Sequence, residues 1–185
     1  MTWRKRLFDV FFACLLILVL GPILLGLLAW LLVKQGRPIF YASERMKGVD
    51  QSFVLWKLRT MTVVDSDAGV SGGDKTARIT PIGAKLRRRR LDEFPQLYNI
   101  LKGDLSFVGP RPPLREYVNR HPEIYARVLQ SRPGVTGLAS IVYHRHEALL
   151  LERRASAEET DQVYSHSCVP TKARLDLIYQ RHQST

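Results

Sequence analysis

Two adjacent carboxylates, Asp92 and Glu93, follow four consecutive arginines, Arg87 to Arg90, with only Leu91 between. Neighbouring carboxylates repel, so the pKa of one rises unless a cation sits beside it. Arg87 and Arg88 lie about one helical turn before Asp92 and can supply that charge. A divalent metal can do the same, because Mg2+ is held by one or two protein carboxylates together with substrate phosphates. A carboxylate can also be the covalent nucleophile of phosphoryl transfer. Against these readings stands a plainer one: a pair of acids at a helix start ahead of Pro95, where the helix dipole favours them. Consecutive residues on a helix point about 100° apart, so the four arginines cannot form one stripe. Some are expected to face inward. Others are expected to face a membrane surface, where each exposed cation gains roughly 1 kcal/mol near an anionic leaflet.

A second cluster runs from Gly103 to Pro112 and ends in Gly109-Pro110-Arg111-Pro112-Pro113. This stretch cannot be helix interior and reads as a rigid loop. A stiff loop presenting Arg111 suits a phosphate, whose oxygens match the guanidinium fork. Lys57, Arg59 and Arg132 are further cations that can join it. The alternative is a proline-stiffened connector with a solvated arginine. The pairs His144/His146 and His166/Cys168 lack the spacing of a zinc finger.

These residues need a scaffold and an address. The chain has 185 residues, with 28 Lys+Arg against 17 Asp+Glu, a formal net charge of +11. That excess suits a polyanionic partner and says nothing about fold. Cys14 lies in an apolar run and Cys168 in a polar region, which points to a reducing compartment rather than a disulfide. From Val10 to Val33 there is no charged residue. As a helix this stretch spans about 36 Å, enough for a hydrocarbon core of about 30 Å. It is too long for a signal core and lacks a small-x-small cleavage pattern after it. Gly21-Pro22 at its middle predicts a kink. Basic residues flank both ends: Arg4, Lys5 and Arg6 before, Lys34 and Arg37 after. Basic flanks favour the cytoplasmic side. A helix that enters, bends and returns keeps both clusters there, with Asp9 spaced to pair with Arg6 at the entrance.

Past residue 37, Ile39 to Tyr41 and Ser52 to Met61 read as strands, and Arg45 to Asp50 as a turn. Asp65 to Thr76 reads as a polar loop. A helical stretch is expected from about Ala84, with Phe94, Leu97, Tyr98 and Leu101 on one face and Gly103 as its stop. Leu114 to Gln130 reads as one helix and Arg132 to Gly137 as a turn. Ala148 to Arg154, Ala157 to Val163 and Thr171 to Arg181 read as amphipathic helices, with Ser156 and Glu159 as a capping box.

Four segments in order resemble the bacterial sugar transferase family, the monotopic polyprenyl-phosphate phosphoglycosyl transferases. They are Lys57 to Met61, Leu91 to Asn99, Leu101 to Pro112 and Arg132 to Gly137. Lys5 to Asp9 and the Gly-Pro break resemble the family's re-entrant membrane helix. One such motif is weak; several in order are specific. The resemblance implies a small α/β domain, mostly α, at 38–185 on a re-entrant anchor at 1–37, with interfacial amphipathic helices. It implies that Asp92 attacks the β-phosphate of a nucleotide diphosphate sugar, a UDP-sugar, and releases UMP. Polyprenyl phosphate, such as undecaprenyl phosphate, then takes the sugar phosphate from Asp92. Glu93 would bind Mg2+, with Asp92, or help deprotonate the acceptor. Lys57, Arg59, Arg87, Arg111 and Arg132 would contact phosphates or substrate. This is the first membrane step of glycan assembly: exopolysaccharide, O-antigen or glycoconjugate.

The expected address is the cytoplasmic face of a bacterial inner membrane, with both termini cytoplasmic. Expected partners are the two substrates, the lipid bilayer and, as an assembly left open, a second copy in a homodimer; nucleic acid is not expected. The sequence departs from the family pattern after Gly137, so 138–185 forms a divergent part. The rival is a membrane-tethered basic binding or scaffold module. It is disfavoured because aromatic residues do not interleave with the arginine run as a stacking platform needs.

Overall fold

The computed structural model describes residues 2–64, 73–152, 154 and 156–182. The chain is mostly helical, with two small sheets. Helix α1, Trp3–Gln35, is the one described helix long and apolar enough to cross a membrane. Thr2 caps its start, and Gly36 ends it at φ 69°, a left-handed conformation glycine adopts freely. The helix continues through Gly21 and Pro22. Only Asp9, Ala13 and Leu31 are buried on it.

The α1 contacts fall near its two ends. Ala13 and Leu16 pack with Phe53, Leu55, Leu97 and Ile100. Leu27, Leu28 and Leu31 pack with Leu58, Leu86 and Ile39. Polar contacts repeat the pattern. Arg6 donates to the Ile100 and Leu101 carbonyls, and the Gln35 amide donates to the Arg59 carbonyl at 2.8 Å. The expected Arg6–Asp9 pair does not form. Asp9 Oδ1 instead accepts from Ser106 Oγ and the Phe107 amide, both at 3.1 Å. A buried carboxylate does better with fixed neutral donors than with an arginine that can cap carbonyls elsewhere.

Strands β1, Phe40–Met46, and β2, Ser52–Leu58, form an antiparallel hairpin with Phe40 opposite Leu58. Phe53, Leu55 and Leu58 of β2 are buried against α1 and helix α3, Gln96–Lys102. Between them lies α2, Pro81–Arg88, capped by Thr80, whose hydroxyl accepts from the Gly83 amide. Glycine at 83 is required by contact: a Cβ there would overlap the Thr60 carbonyl. The arginine run is not one helix. Helix α2 ends at Arg88, and Arg90 turns the chain at φ 56°, a conformation that costs a non-glycine residue about 1–2 kcal/mol. Arg88, Arg89 and Arg90 are exposed, whereas Arg87 turns inward.

Strands β3, Ser106–Val108, and β4, Gly134–Thr136, pair in parallel. The segment read as a turn therefore supplies a strand. Gly109 and Gly134 touch backbone to backbone, and a Cβ on either would overlap the other. Helices α4, Arg115–Arg120, and α5, Pro122–Val128, replace the single helix expected there. Pro122 lacks an amide hydrogen and breaks the ladder. Helix α6, Leu138–Glu152, begins ten residues before its expected start. Then come α7, Ala157–Val163, a π-helical turn, Tyr164–Cys168, and α8, Val169–His182. Ser156 accepts from the Glu159 amide as the capping box requires. These helices share a second core with Met46, Tyr117 and Tyr125. Most of the expected Asp65–Thr76 loop lies outside the described residues; Gly73–Arg78 is a 3-10 helix.

Asn99 ties α3 to β2. Its amide donates to the Val54 carbonyl at 2.7 Å, and its Oδ1 accepts from the Trp56 amide at 3.2 Å. Its own carbonyl accepts from the amides of Gly103, Asp104 and Leu105. Tyr98, expected on the buried face, is exposed, while Asn99 and Ile100 are buried. Asn99→Leu keeps the volume but strands both β2 groups, and should lower stability by about 1–3 kcal/mol. A detergent-solubilised melting temperature equal to that of the native protein would refute this role.

Candidate active site

Asp92 and Glu93 sit on a single 3-10 turn, Leu91–Glu93, between the Arg90 bend and α3. Lys57 comes from the end of β2 and Arg111 from the loop after β3. Glu93 Oε1 gathers three cations: Lys57 Nζ and Arg90 Nη1 at 3.5 Å, and Arg111 Nη1 at 3.9 Å. Its Oε2 makes none of these contacts. Arg87 Nε donates to Thr60 Oγ1 at 2.8 Å, which turns its guanidinium toward the same space.

Asp92 is buried, and its Oδ1 has no hydrogen-bond partner among the described residues. Burial raises its pKa above the usual carboxylate range. Lys57 opposes that shift, Glu93 adds to it, and Arg87 opposes it. Lys57 is driven the other way. Burial, with Arg111 nearby, lowers its pKa to about 8, although Glu93 pulls it up. The site is thus a buried carboxylate on the cavity wall, with a lysine of lowered pKa and two arginines around it. Such a carboxylate can attack phosphorus if it is ionised, and the surrounding cations favour that form when a substrate completes the charge balance.

All these groups line one cavity of about 550 Å3. Arg45, expected from the sequence to open a turn, lies instead on β1 and lines the cavity too, its Nε donating to Ser43 Oγ at 3.2 Å. Burial and the nearby Arg111 lower its pKa. The C-terminal part also contributes: Glu147, Tyr164, Lys172 and Asp176 lie on the cavity wall. They escaped the sequence reading because α6 and α8 carry no motif.

Arg132 and Arg59 stand apart from the other expected site residues. Arg132 is absent from the cavity lining. It lies beside Gly103, with burial and Arg6 lowering its pKa and Asp9 and Asp104 opposing them. Arg59 borders the cavity, but its guanidinium donates to the carbonyls of Pro38 at 2.6 Å, Gln35 at 2.7 Å and Gly36 at 3.2 Å. It caps the end of α1, where a cation complements the helix dipole. Among the described residues no group of three or more His, Cys, Asp and Glu is placed to hold a metal. Cys168 is buried in the core, and His166 Nδ1 contacts the Gln162 carbonyl at 2.9 Å.

The chain thus joins a helix long and apolar enough to cross a membrane to a small domain with a carboxylate pair in a cavity lined by lysine and arginine. The family model described as "Bacterial sugar transferase" matches residues 1–185, and the chain belongs to that family. It is 41% identical over 137 residues to the uncharacterized sugar transferase EpsL of Bacillus subtilis, covering 74% of this chain and 67% of that one. It is 36% identical over 171 residues to the UDP-glucose:undecaprenyl-phosphate glucose-1-phosphate transferase of Caulobacter vibrioides, covering 89% and 64%. It is 34% identical over 168 residues to the enzyme of the same name in Klebsiella pneumoniae, covering 86% of this chain and 35% of that one. The chain thus spans about a third to two thirds of these relatives.

The lowered pKa of Lys57 has a testable sign. A diphosphate needs the protonated lysine, which is depleted as pH rises through about 8. Affinity for inorganic pyrophosphate should fall by about tenfold between about pH 7 and 9 from this group alone. Calorimetric titration of the native protein and Lys57→Met checks it: the variant should bind more weakly at pH 7 and lack this share of the pH dependence.

Proposed function

We propose that this protein transfers a sugar 1-phosphate from a UDP-sugar to undecaprenyl phosphate, with Asp92 as the covalent carrier. The observation that carries this reading is the placing of the Asp92–Glu93 turn on the wall of one cavity that Lys57, Arg87 and Arg111 also line, with Asp92 held buried among them. Relatives named as UDP-glucose:undecaprenyl-phosphate glucose-1-phosphate transferases support the substrates. A relative in Aeromonas hydrophila named for N-acetylgalactosamine phosphate transfer supports a donor class broader than one sugar.

In the first step an Asp92 oxygen attacks the β-phosphorus of the donor. The bond from that phosphorus to the bridging oxygen breaks, and UMP leaves with the bond's electron pair. Arg87, Arg111 and Lys57 neutralise charge on the phosphoryl oxygens; positioning and charge neutralisation dominate such reactions. In the second step a phosphate oxygen of undecaprenyl phosphate attacks the same phosphorus. Asp92 departs as carboxylate, leaving undecaprenyl diphosphate sugar. Glu93 keeps Lys57, Arg90 and Arg111 gathered around the turn. It can also accept a proton if the acceptor arrives as a monoanion. The unpartnered Asp92 Oδ1 and the neighbouring Glu93 fit the mode in which Mg2+ takes two protein carboxylates and substrate phosphates. Bound there, Mg2+ would neutralise the diphosphate.

Helix α1 would dip into the inner leaflet and return, keeping both termini on the cytoplasmic face. Its two arms pack on one strand, Ala13 with Phe53 and Leu31 with Leu58. A straight helix would separate Ala13 from Leu31 by about 27 Å, whereas Phe53 and Leu58 are about 17 Å apart along a strand. Pro22 supplies the natural bend. The rival reading, a basic module without catalysis, has no use for the orphaned carboxylate.

Asp92→Asn should abolish turnover, with UMP release from UDP-sugar and undecaprenyl phosphate falling at least about a thousandfold and the melting temperature unchanged or higher. UDP in place of UMP as the nucleotide product would overturn the mechanism. Tags at each terminus should be reached only from the cytoplasmic side; a periplasmic N-terminus would restore a spanning helix.

A further inference from the structure

The C-terminal helices add a polar wall to the cavity that the transfer chemistry does not use. Helix α6 brings Glu147, the π-helical turn brings Tyr164, and α8 brings Lys172 and Asp176. Lys172 Nζ donates to Glu147 Oε1 at 3.0 Å and to the Tyr164 hydroxyl at 3.3 Å. Lys172 and Asp176 are 8% and 6% exposed. They are four residues apart, so they share one face of α8. Around them the lining is apolar: Val128, Val169 and Ala173. Buried charges are expensive unless something needs them.

The charge of this wall sets it apart. The region around Asp92 has several cations, which is what phosphates require. The C-terminal wall has two carboxylates for one lysine. Carboxylates repel phosphate oxygens and accept hydrogen bonds from hydroxyl groups. The wall therefore suits the uncharged, polyhydroxylated part of a donor. Arg111 joins the two parts: it contacts Glu93 at 3.9 Å and lines the same cavity as Lys172. A group held here lies next to the attacked phosphate.

We propose that Glu147, Lys172 and Asp176, with Tyr164 fixing the lysine, bind the hydroxyl groups of the donor's sugar and decide which sugar is transferred. This rests on the function proposed above. The ring oxygens and hydroxyls of the sugar take their donors from Lys172 and their acceptors from Glu147 and Asp176. Burial raises the pKa of Asp176 to about 7, so it can also donate. The residues lie beyond Gly137, on α6, the π-helical turn and α8. The ribose of the nucleotide offers hydroxyls too, and the test separates the two.

The full-length protein, with undecaprenyl phosphate in a membrane mimetic, is assayed by UMP release against UDP-sugars that differ at C2 and C4. Native protein, Glu147→Gln, Asp176→Asn and Lys172→Arg are compared, together with inhibition by UDP. At least one variant should change the kcat/KM ratio between two UDP-sugars by about tenfold or more. The inhibition constant of UDP should stay within about twofold. Lys172→Arg keeps the buried charge and guards against loss of fold. If every variant scales all donors equally, or UDP inhibition shifts in parallel, the sugar assignment is overturned while the transferase stands. If the native protein releases UMP from no UDP-sugar, the transferase reading falls and takes this one with it.

Discussion

The distance between Lys57 and Glu93 is set by an amide that touches neither. Asn99 bonds the outer edge of β2 through both ends of its side chain. Its carbonyl collects the three amides that follow α3. The strand carrying Lys57 and the helix that follows the Asp92–Glu93 turn are therefore fixed in register by one residue. Strand edges are otherwise free to slip, and a slip of one residue would turn Lys57 to the opposite face. Two close backbone approaches complete the frame. Gly83 lets α2 rest on the Thr60 carbonyl, which brings Arg87 to the cavity. Gly109 against Gly134 holds the loop of Arg111.

Within that frame the site is strained electrostatically. Burial works against the charged form of both Asp92 and Lys57. A protein selected only for stability would pair them at closer range or replace them with apolar groups. Here Glu93 attracts the lysine, and Asp92 keeps an oxygen with no hydrogen-bond partner among the described residues. On the function proposed above, a polyanionic donor arriving at the arginines would raise the proton affinity of Lys57 and bring its phosphorus to the carboxylate. Groups arranged before the substrate arrives need little rearrangement at the moment of reaction.

Legibility in the sequence followed the range of the interaction. The Asp92–Glu93 pair was legible as a pair because adjacency in sequence is adjacency in space, whereas its contacts with Lys57 and Arg111 join β2 and the loop after β3 to the turn. Gly103 as a helix stop and the Ser156 cap were readable for the same reason. Asn99 stood in plain view inside a motif, but its partners lie on a strand some 45 residues earlier. Arg59 and Arg132 look like the other cations in sequence, because an arginine near a motif reads alike whether it lies open in the cavity, caps main-chain carbonyls as Arg59 does, or sits beside Gly103 as Arg132 does. Leu114 to Gln130 read as one helix because its apolar spacing persists across Pro122. The C-terminal wall was illegible in principle: Glu147, Lys172 and Asp176 sit on helices whose spacing suits any packed surface, and only tertiary contact puts them on a cavity.

The membrane helix and the reactive turn are mechanically one unit. Arg6, near the start of α1, caps the last carbonyls of α3, the helix launched by the Asp92–Glu93 turn. Asp9 fixes the start of β3, whose far end leads to Arg111. At the other end Arg59 and Gln35 join α1 to the strand carrying Lys57. Three of the elements that supply the site are thus tied to α1 by polar contacts toward its ends, while most of its apolar middle stays exposed. On the function proposed above, the depth at which α1 sits in the bilayer would set the depth of the cavity, and an acceptor with its tail in lipid and its phosphate at the surface would need no other device to find it.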